Sequence, residues 1–524
     1  MNTTTADTTT RRFFDRWMQL RPVEASFLGL HEHDGRLPDG GRDEALAEIA
    51  LLESYASDLS RGPDGLDAEL GRYFADLSLF NLRELRLWER MADAPDQVGS
   101  AIFMLFTRDL APLETRIEAI ARCLEDAPRF LRASRHRLQR PVRLWNEVAL
   151  ETARQLPALV ELVLTATPAN GLRRRVAQAG AATREAVADY ARWLEDDVLP
   201  GAEAEYRIGE EAFERLLQLR RLPAGPDAIL ELGRRYLAEV EEQRQELVAR
   251  AWPGKTTEEV QEAIRSDHAE SFDDALSEYR ESIARAREFV VSKSLATVPA
   301  DEVLQVVETP SFLRPVLPFA AYEPAPYFDE RQIGIYLVTP PADPARLAES
   351  NRPGILNTSV HEGYPGHHLQ FVCANQNRSL LRLLAGFHAT EFVEGWAHYC
   401  EQLMYEEGFN TGPEIRFIQL EDLVWRACRI VIDVQLCRGR MTFEDAVDML
   451  VQRAGMSREN ATAEVKRYTY TPGYQLSYLY GKHLLLELRQ RVRTREGAGF
   501  SLREFHDGLL YAGAVPSVFW DELF

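Results

Sequence analysis

The sequence is short of several features, and each shortage excludes a class of protein. Its 524 residues include only five cysteines, an odd number, scattered and without CxxC spacing. That rules against a disulfide scaffold or a cysteine-built zinc ribbon. Cys123, Cys373, Cys400, Cys428 and Cys437 read as reduced, buried thiols of a cytoplasmic protein, since free cysteine behaves as a small hydrophobe. Basic residues are outnumbered, 61 Lys and Arg against 82 Asp and Glu, for a formal net charge of −21. Nucleic acid is therefore not an expected partner, because phosphate recognition needs a basic patch. No apolar run reaches about 18 residues, so no membrane span is expected. The opening MNTTTADTTTRRFFDRW contains no apolar stretch of the signal-peptide kind. There is no internal repeat and no low-complexity linker.

What remains is an ordinary globular composition, 45% hydrophobic and 27% charged, at a length that suits two or three lobes or one large helical domain. Most of the chain has helical periodicity. Leu113, Ile117, Ile120 and Leu124 form one stripe, with Pro112 suited to the first turn. After the Gly225-Pro226-Asp227 break, Leu230, Gly233, Leu237 and Val240 form another, and Glu241–Arg250 reads as a solvated face. Residues 1–10, rich in threonine, are expected to be disordered. Residues 11–300 read as a helical N-terminal lobe and 301–524 as a metal-binding catalytic lobe sharing its core. Near residue 300 the texture changes: Val307–Pro326 is rich in proline and aromatics, and Ile333–Val338 reads as a short strand. The open edge of that strand could pair with an extended substrate, or the strand could simply pack under the site helix.

Five of the eleven histidines fall between His361 and His398. The dense segments are SVHEGYPGHHLQ and FVEGWAHYCE. A His-Glu pair followed by a second histidine is the core of many zinc hydrolases: two neutral imidazoles and a third ligand hold zinc, one position stays open for water, and the glutamate serves as base. The usual HExxH spacing places both histidines on one helix face. Here the second histidine comes at i+6 or i+7. On a regular helix the first points about 120° away, and the second lies about 10.5 Å up the axis. Neither can share one ion with His361. Pro365 removes a helical hydrogen bond and Gly366 tolerates unusual dihedrals, so a bulge at Tyr364-Pro365-Gly366 is expected to absorb the two extra residues. His367 is the preferred second ligand, with His368 the alternative or a packing residue. Glu394 follows His367 by 27 residues and is the expected third ligand. Glu391 and His398 share its face and are candidates for orienting the imidazoles, or for structural polar roles. Downstream, Tyr474, Tyr478 and Tyr480 are candidates for a hydroxyl aimed at the substrate carbonyl, or for core residues. Arg429, on one stripe with Arg426 and Asp433, and Arg467 each fit a substrate carboxylate or a buried ion pair.

These segments resemble the bacterial domain-of-unknown-function 885 family. The resemblance is carried by RPVEASFLGLHEHDGRLPD, VETPSFLRPVLPFAAYEPAP, HEGYPGHHLQ, EFVEGWAHYCEQL, LVWRACRIVIDVQL and TPGYQLSYLYGK. More distantly the chain is similar to gluzincins of the thimet-oligopeptidase and thermostable-carboxypeptidase type. The resemblance implies a mainly α fold, a helical zincin-like bowl with a deep channel and a small antiparallel sheet beside the metal-site helix. It implies His361, His367 and Glu394 as zinc ligands, Glu362 as base and Tyr478 as oxyanion donor. One departure stands out: Val434, Gln435 and Leu436 follow Asp433 where family members carry Gly-Leu-His. The expected activity is zinc-dependent hydrolysis of short peptides. A zinc amidohydrolase acting on a non-peptide amide and an inactive metal- or peptide-binding protein are the rivals, the last disfavoured by Glu362.

Overall fold

A computed structural model describes residues 5–61, 65–309, 314, 320–341, 347–348 and 350–524. The fold is mainly helical with one small sheet. Part of the proline-rich stretch 307–326 lies outside the described residues. The chain divides into two compact units, at a different place from the sequence boundary near 300. One comprises residues 1–206 with 311–316 and 326–331, the other 207–310, 317–325 and 332–524.

The first unit is helical. Its first helix spans Thr5–Leu20, so it begins inside the threonine-rich stretch expected to be disordered; residues 1–4 lie outside the described set. Phe13 and Trp17 from this helix pack with Tyr55 and Phe74, the Phe13 and Tyr55 rings stacking at 4.1 Å. The Leu113 stripe forms helix Leu113–Ser134, where Ile117, Ile120 and Leu124 are buried. Pro112 is its N-cap, and Leu113, at the exposed first position, falls outside the apolar face.

The second unit carries the sheet and most of the histidines. Helix Pro226–Ala251 starts at the predicted break and buries Leu230, Gly233, Leu237 and Val240 against helix Pro413–Cys437. That packing is why residues 207–300 belong with the C-terminal unit. Strands β1 (Glu302–Glu308), β2 (Ala320–Glu323) and β3 (Gln332–Val338) form a sheet in the order β1-β3-β2. The sheet is mixed, not purely antiparallel: β1 pairs parallel to β3 and β2 antiparallel to it. A parallel pair cannot be joined by a tight turn, and β2 lies in the chain between the two parallel strands. β3, the predicted strand, is central and buried along its whole length. Both its edges are paired, so the expectation of an open edge for substrate is overturned, and the packing alternative holds. Among the described residues no helix is long and apolar enough to cross a membrane.

Candidate metal centre

The HEGYPGHH segment solves its spacing problem by breaking the helix. Helix Arg352–Glu362 is capped by the Asn351 side chain, which accepts from Gly354 N; such a cap contributes about 1 kcal/mol. The helix ends at Glu362, and a new one, His367–Ala374, begins at the second histidine. Across the gap the amide of Gly366 bonds the carbonyl of Val360 and that of Leu369 bonds Gly363, at 3.1 and 3.4 Å. Each bond reaches back six residues where a helix reaches back four, so the two extra residues are taken up in the loop. The expected bulge is thus a full interruption. A Cβ on Gly366 would lie 1.9 Å from the His361 carbonyl oxygen, so no other residue fits this return. Trp396 Nε1 donates to the Pro365 carbonyl at 2.8 Å and ties the loop to helix Thr390–Glu406.

The result is that His361 and His367 face each other, rings perpendicular and 4.9 Å apart. Glu394 joins them from helix Thr390–Glu406. One donor atom from each of the three lies within 4.8 Å of the others, and all three residues are buried. His367 Nε2 and Glu394 Oε2 stand 3.5 Å apart. Two tetrahedral ligands about 2.1 Å from one zinc ion are separated by roughly 3.4 Å, so this edge already has the dimension zinc requires. The electrostatics also suit a cation. Against the upward push of burial, His367 and Tyr474 bring the Glu394 carboxyl down to about 2. Burial lowers the His367 imidazole, but Glu394 and Glu362 raise it overall. A His₂Glu donor set in this arrangement fits zinc.

The carboxylate of Glu401 holds His361: His361 Nδ1 lies 2.7 Å from Glu401 Oε1, which leaves Nε2 as the nitrogen available to a metal. Asn357 Nδ2 donates to the second Glu401 oxygen at 3.0 Å and to Asp422 at 2.9 Å. His398 has its Nδ1 3.3 Å from Glu401 Oε1 and so reaches the site through Glu401. Burial and Lys482 bring the His398 imidazole down to about 3, keeping it neutral. Glu391 does not orient an imidazole. It is fully buried and accepts from Arg220 Nη2 at 2.8 Å, an ion pair that Thr390 and Ser477 join.

His368 is committed elsewhere. Its Nε2 lies 2.7 Å from Glu302 Oε2 on β1, and its Nδ1 is 3.0 Å from the Tyr322 hydroxyl on β2. Glu302 also accepts from Tyr364 and Arg287, which, with His368, bring its carboxyl down to about 2 against burial. Both nitrogens of His368 are therefore used in fastening its helix to the sheet, and the Tyr322 ring lies parallel to that of His367 at 6.4 Å.

Glu362 is half-buried at the end of its helix and makes no hydrogen bond to a described residue. Of the three downstream tyrosines, Tyr480 stacks against His483 at 6.4 Å, and the other two divide. The Tyr474 hydroxyl donates to Glu394 Oε1. Tyr478, whose ring meets that of Tyr474 edge-on at 6.0 Å, makes no hydrogen bond to a described residue, and burial and Glu394 push its hydroxyl up to about 12. Arg429 is buried beneath it, 4.4 Å from the Tyr478 ring, bonded to Tyr468 and Glu464 at 2.9 Å each. Arg467 donates to the same Glu464 oxygen at 3.0 Å. The helix bearing Glu394 touches the helix bearing Tyr478, Ser477–Glu496, backbone to backbone: a Cβ on Gly481 would lie 1.9 Å from the Glu391 carbonyl, and one on Gly395 2.5 Å from Gly481.

Sequence reasoning missed Glu401 and Glu302. Glu401 continues the Glu391–Glu394–His398 stripe by one more step, a signal that was there to follow. Glu302 lies far upstream on a strand, where nothing marks it.

A model of the family described as "Bacterial protein of unknown function (DUF885)" matches residues 22–520. No curated protein matches the chain. Two solved structures share the fold over nearly all of both chains. One is a protein from Shewanella oneidensis termed a lipoprotein of unknown function, at TM-score 0.78 and 22% identity, covering 99% of each chain. The other is a protein from Colwellia psychrerythraea, also termed a lipoprotein, at TM-score 0.85 and 19% identity, covering 99% of this chain and 97% of that one.

Proposed function

We propose that this chain, which belongs to the DUF885 family, is a zinc-dependent hydrolase of the gluzincin kind that cleaves short peptides. The observation that carries the reading is the convergence of His361, His367 and Glu394 within 4.8 Å, with a glutamate directly after the first histidine that makes no hydrogen bond to a described residue.

His361, His367 and Glu394 would hold zinc, which when bound would supply Lewis acidity toward the scissile carbonyl and toward a water. Glu401 fixes the His361 tautomer with Nδ1 as donor, so the opposite nitrogen offers its lone pair to the site. Glu362, with no hydrogen bond to a described residue, takes the proton from the attacking water and passes it to the leaving amine. Tyr474 is occupied in holding Glu394. Tyr478 stays protonated at neutral pH and is the donor for the oxygen that gains charge as the carbonyl becomes tetrahedral. Exposures of 6% for His361, 8% for His367 and 6% for Glu394 favour an extended chain over a folded protein as substrate.

All five cysteines are unpaired and buried, which supports a reducing, cytoplasmic setting. The lipoprotein label of the two structural neighbours points the other way, and fractionation of cells with an antibody to the chain decides between them.

The test compares zinc content and cleavage of a short-peptide library for the wild type and Glu362→Gln. One equivalent of zinc in both proteins, with cleavage lost in the variant, upholds the reading. Zinc without cleavage of any peptide by the wild type turns it toward a non-peptide amide. Failure to bind zinc after reconstitution refutes it.

A further inference from the structure

We propose that Arg467, backed by Arg429 and Glu464, binds the free C-terminal carboxylate of the substrate, so that the enzyme cuts at a fixed distance from the carboxyl end. This rests on the peptidase reading above and adds the polarity of cleavage to it.

The argument starts from a charge imbalance. Glu464 Oε2 accepts from Arg429 Nη2 at 2.9 Å, from Arg467 Nη2 at 3.0 Å and from the Tyr468 hydroxyl at 2.7 Å. Two guanidinium groups thus share one carboxylate, and one positive charge is left over. On a chain of net charge −21 an excess cation beside the candidate site is not background. The two arginines are not equivalent. Arg429 keeps only 4% of its side chain exposed, is bonded through Nε and Nη2, and is sandwiched between the rings of Trp425 and Tyr478 at 4.0 and 4.4 Å. Arg467 keeps 33% exposed, and its Nε and Nη1 make no hydrogen bond to a described residue. The fork that can still receive a carboxylate in a bidentate pair is therefore that of Arg467.

The position fits. Tyr474 touches Glu394, Tyr478 meets Tyr474 at 6.0 Å, and the Arg429 guanidinium lies 4.4 Å beyond the Tyr478 ring. Arg467 joins this line through Glu464, whose Oε2 it shares with Arg429. An extended peptide advances about 3.3–3.6 Å per residue, so a carboxylate held by Arg467 fixes how many residues lie between the chain end and the cleaved bond. The Arg467 guanidinium lies 5.5 Å over the Tyr468 ring, and partial shielding of that kind makes an ion pair worth more than one in open water.

The experiment uses one pentapeptide as its free acid and as its C-terminal amide, plus an amide ending in Asp. Cleavage by the zinc-loaded full chain is paired with calorimetric binding of the same peptides to chelator-treated protein. The free acid is expected to be preferred at least tenfold in kcat/KM, mostly through KM, and in Kd. Arg467→Gln should abolish that preference, and Arg467→Lys should keep part of it. Equal treatment of acid and amide by the wild type overturns the inference and leaves the peptidase reading intact. Preference surviving in Arg467→Gln, or full recovery with the Asp-ended amide, also overturns it. Cleavage of none of the peptides removes the peptidase reading and this inference together. Should Arg467→Gln fail to fold, the wild-type comparison and the metal-free binding still decide.

Discussion

Nδ1 of His361 lies 2.7 Å from Oε1 of Glu401, a residue seven positions after Glu394 on the same helix. On the proposed reading one helix thus supplies both a metal ligand and the carboxylate that orients another ligand. Replacing Glu401 with Gln is expected to weaken zinc binding about 10- to 100-fold, the usual cost of losing such a partner. Competition with a chelator of known affinity measures it; unchanged affinity would mean that His361 is not a ligand.

The two tyrosines should separate in their effects. Tyr474→Phe removes the hydrogen bond to the Glu394 carboxylate and is expected to cost on the order of tenfold in zinc affinity. Tyr478→Phe should leave zinc affinity as it is and lower kcat by about 10²- to 10³-fold, as removal of an oxyanion donor does. If Tyr478→Phe loosens zinc while Tyr474→Phe does not, the assignments must be exchanged.

Gly334 on β3 makes room for the bond between Tyr322 and His368. A Cβ there would lie 2.6 Å from both the His368 Nδ1 and the Tyr322 hydroxyl. Gly334→Ala is therefore expected to destabilise the fold by about 1–3 kcal/mol, the range for overpacking a filled interior. Chemical denaturation reads this directly, and a neutral result would show that the sheet yields at this point.

Glu464 links stability to pH. Against the upward push of burial, Arg429, Arg467 and Tyr468 bring its carboxyl from 4.5 down to about 2. Because the folded state releases this proton more readily than the unfolded one, its contribution is complete above pH 4.5 and disappears as pH falls through about 2. The shift corresponds to on the order of 3 kcal/mol. Glu464→Gln should thus be less stable than wild type at pH 6, with the gap narrowing on acidification. A gap that stays constant from pH 6 to pH 3 would show that the carboxyl is not depressed.

The legible part of the site was the part written locally. The HEGYPGHH spacing excluded a regular helix, and the structure answers with a break between Glu362 and His367. The Glu391–Glu394–His398 stripe marked the face of the second helix, though it could not say that Glu391 turns to Arg220, a residue 171 positions away. Long-range partners leave no periodic trace, which is why Glu302 and Arg220 were invisible. The same reason explains the sheet. Ile333–Val338 showed as a strand by its apolar run, but whether its edges were open depended on β1 and β2, neighbours that its own residues do not specify. The unit boundary was misplaced because the change of texture near residue 300 reflects a switch from helix to strand, whereas the packing of helix Pro226–Ala251 on helix Pro413–Cys437 decides membership.

Gly395 and Gly481 bring two main chains together with nothing in between. A spacing set by main-chain atoms has no adjustable part: no exchange of one side chain for a slightly larger or smaller one can move Glu394 nearer to Tyr478 or farther from it. Divergence in what members of this family act on should therefore be absent from this seam and concentrated on helix Arg458–Tyr470, where Arg467 can be replaced without disturbing how the seam closes.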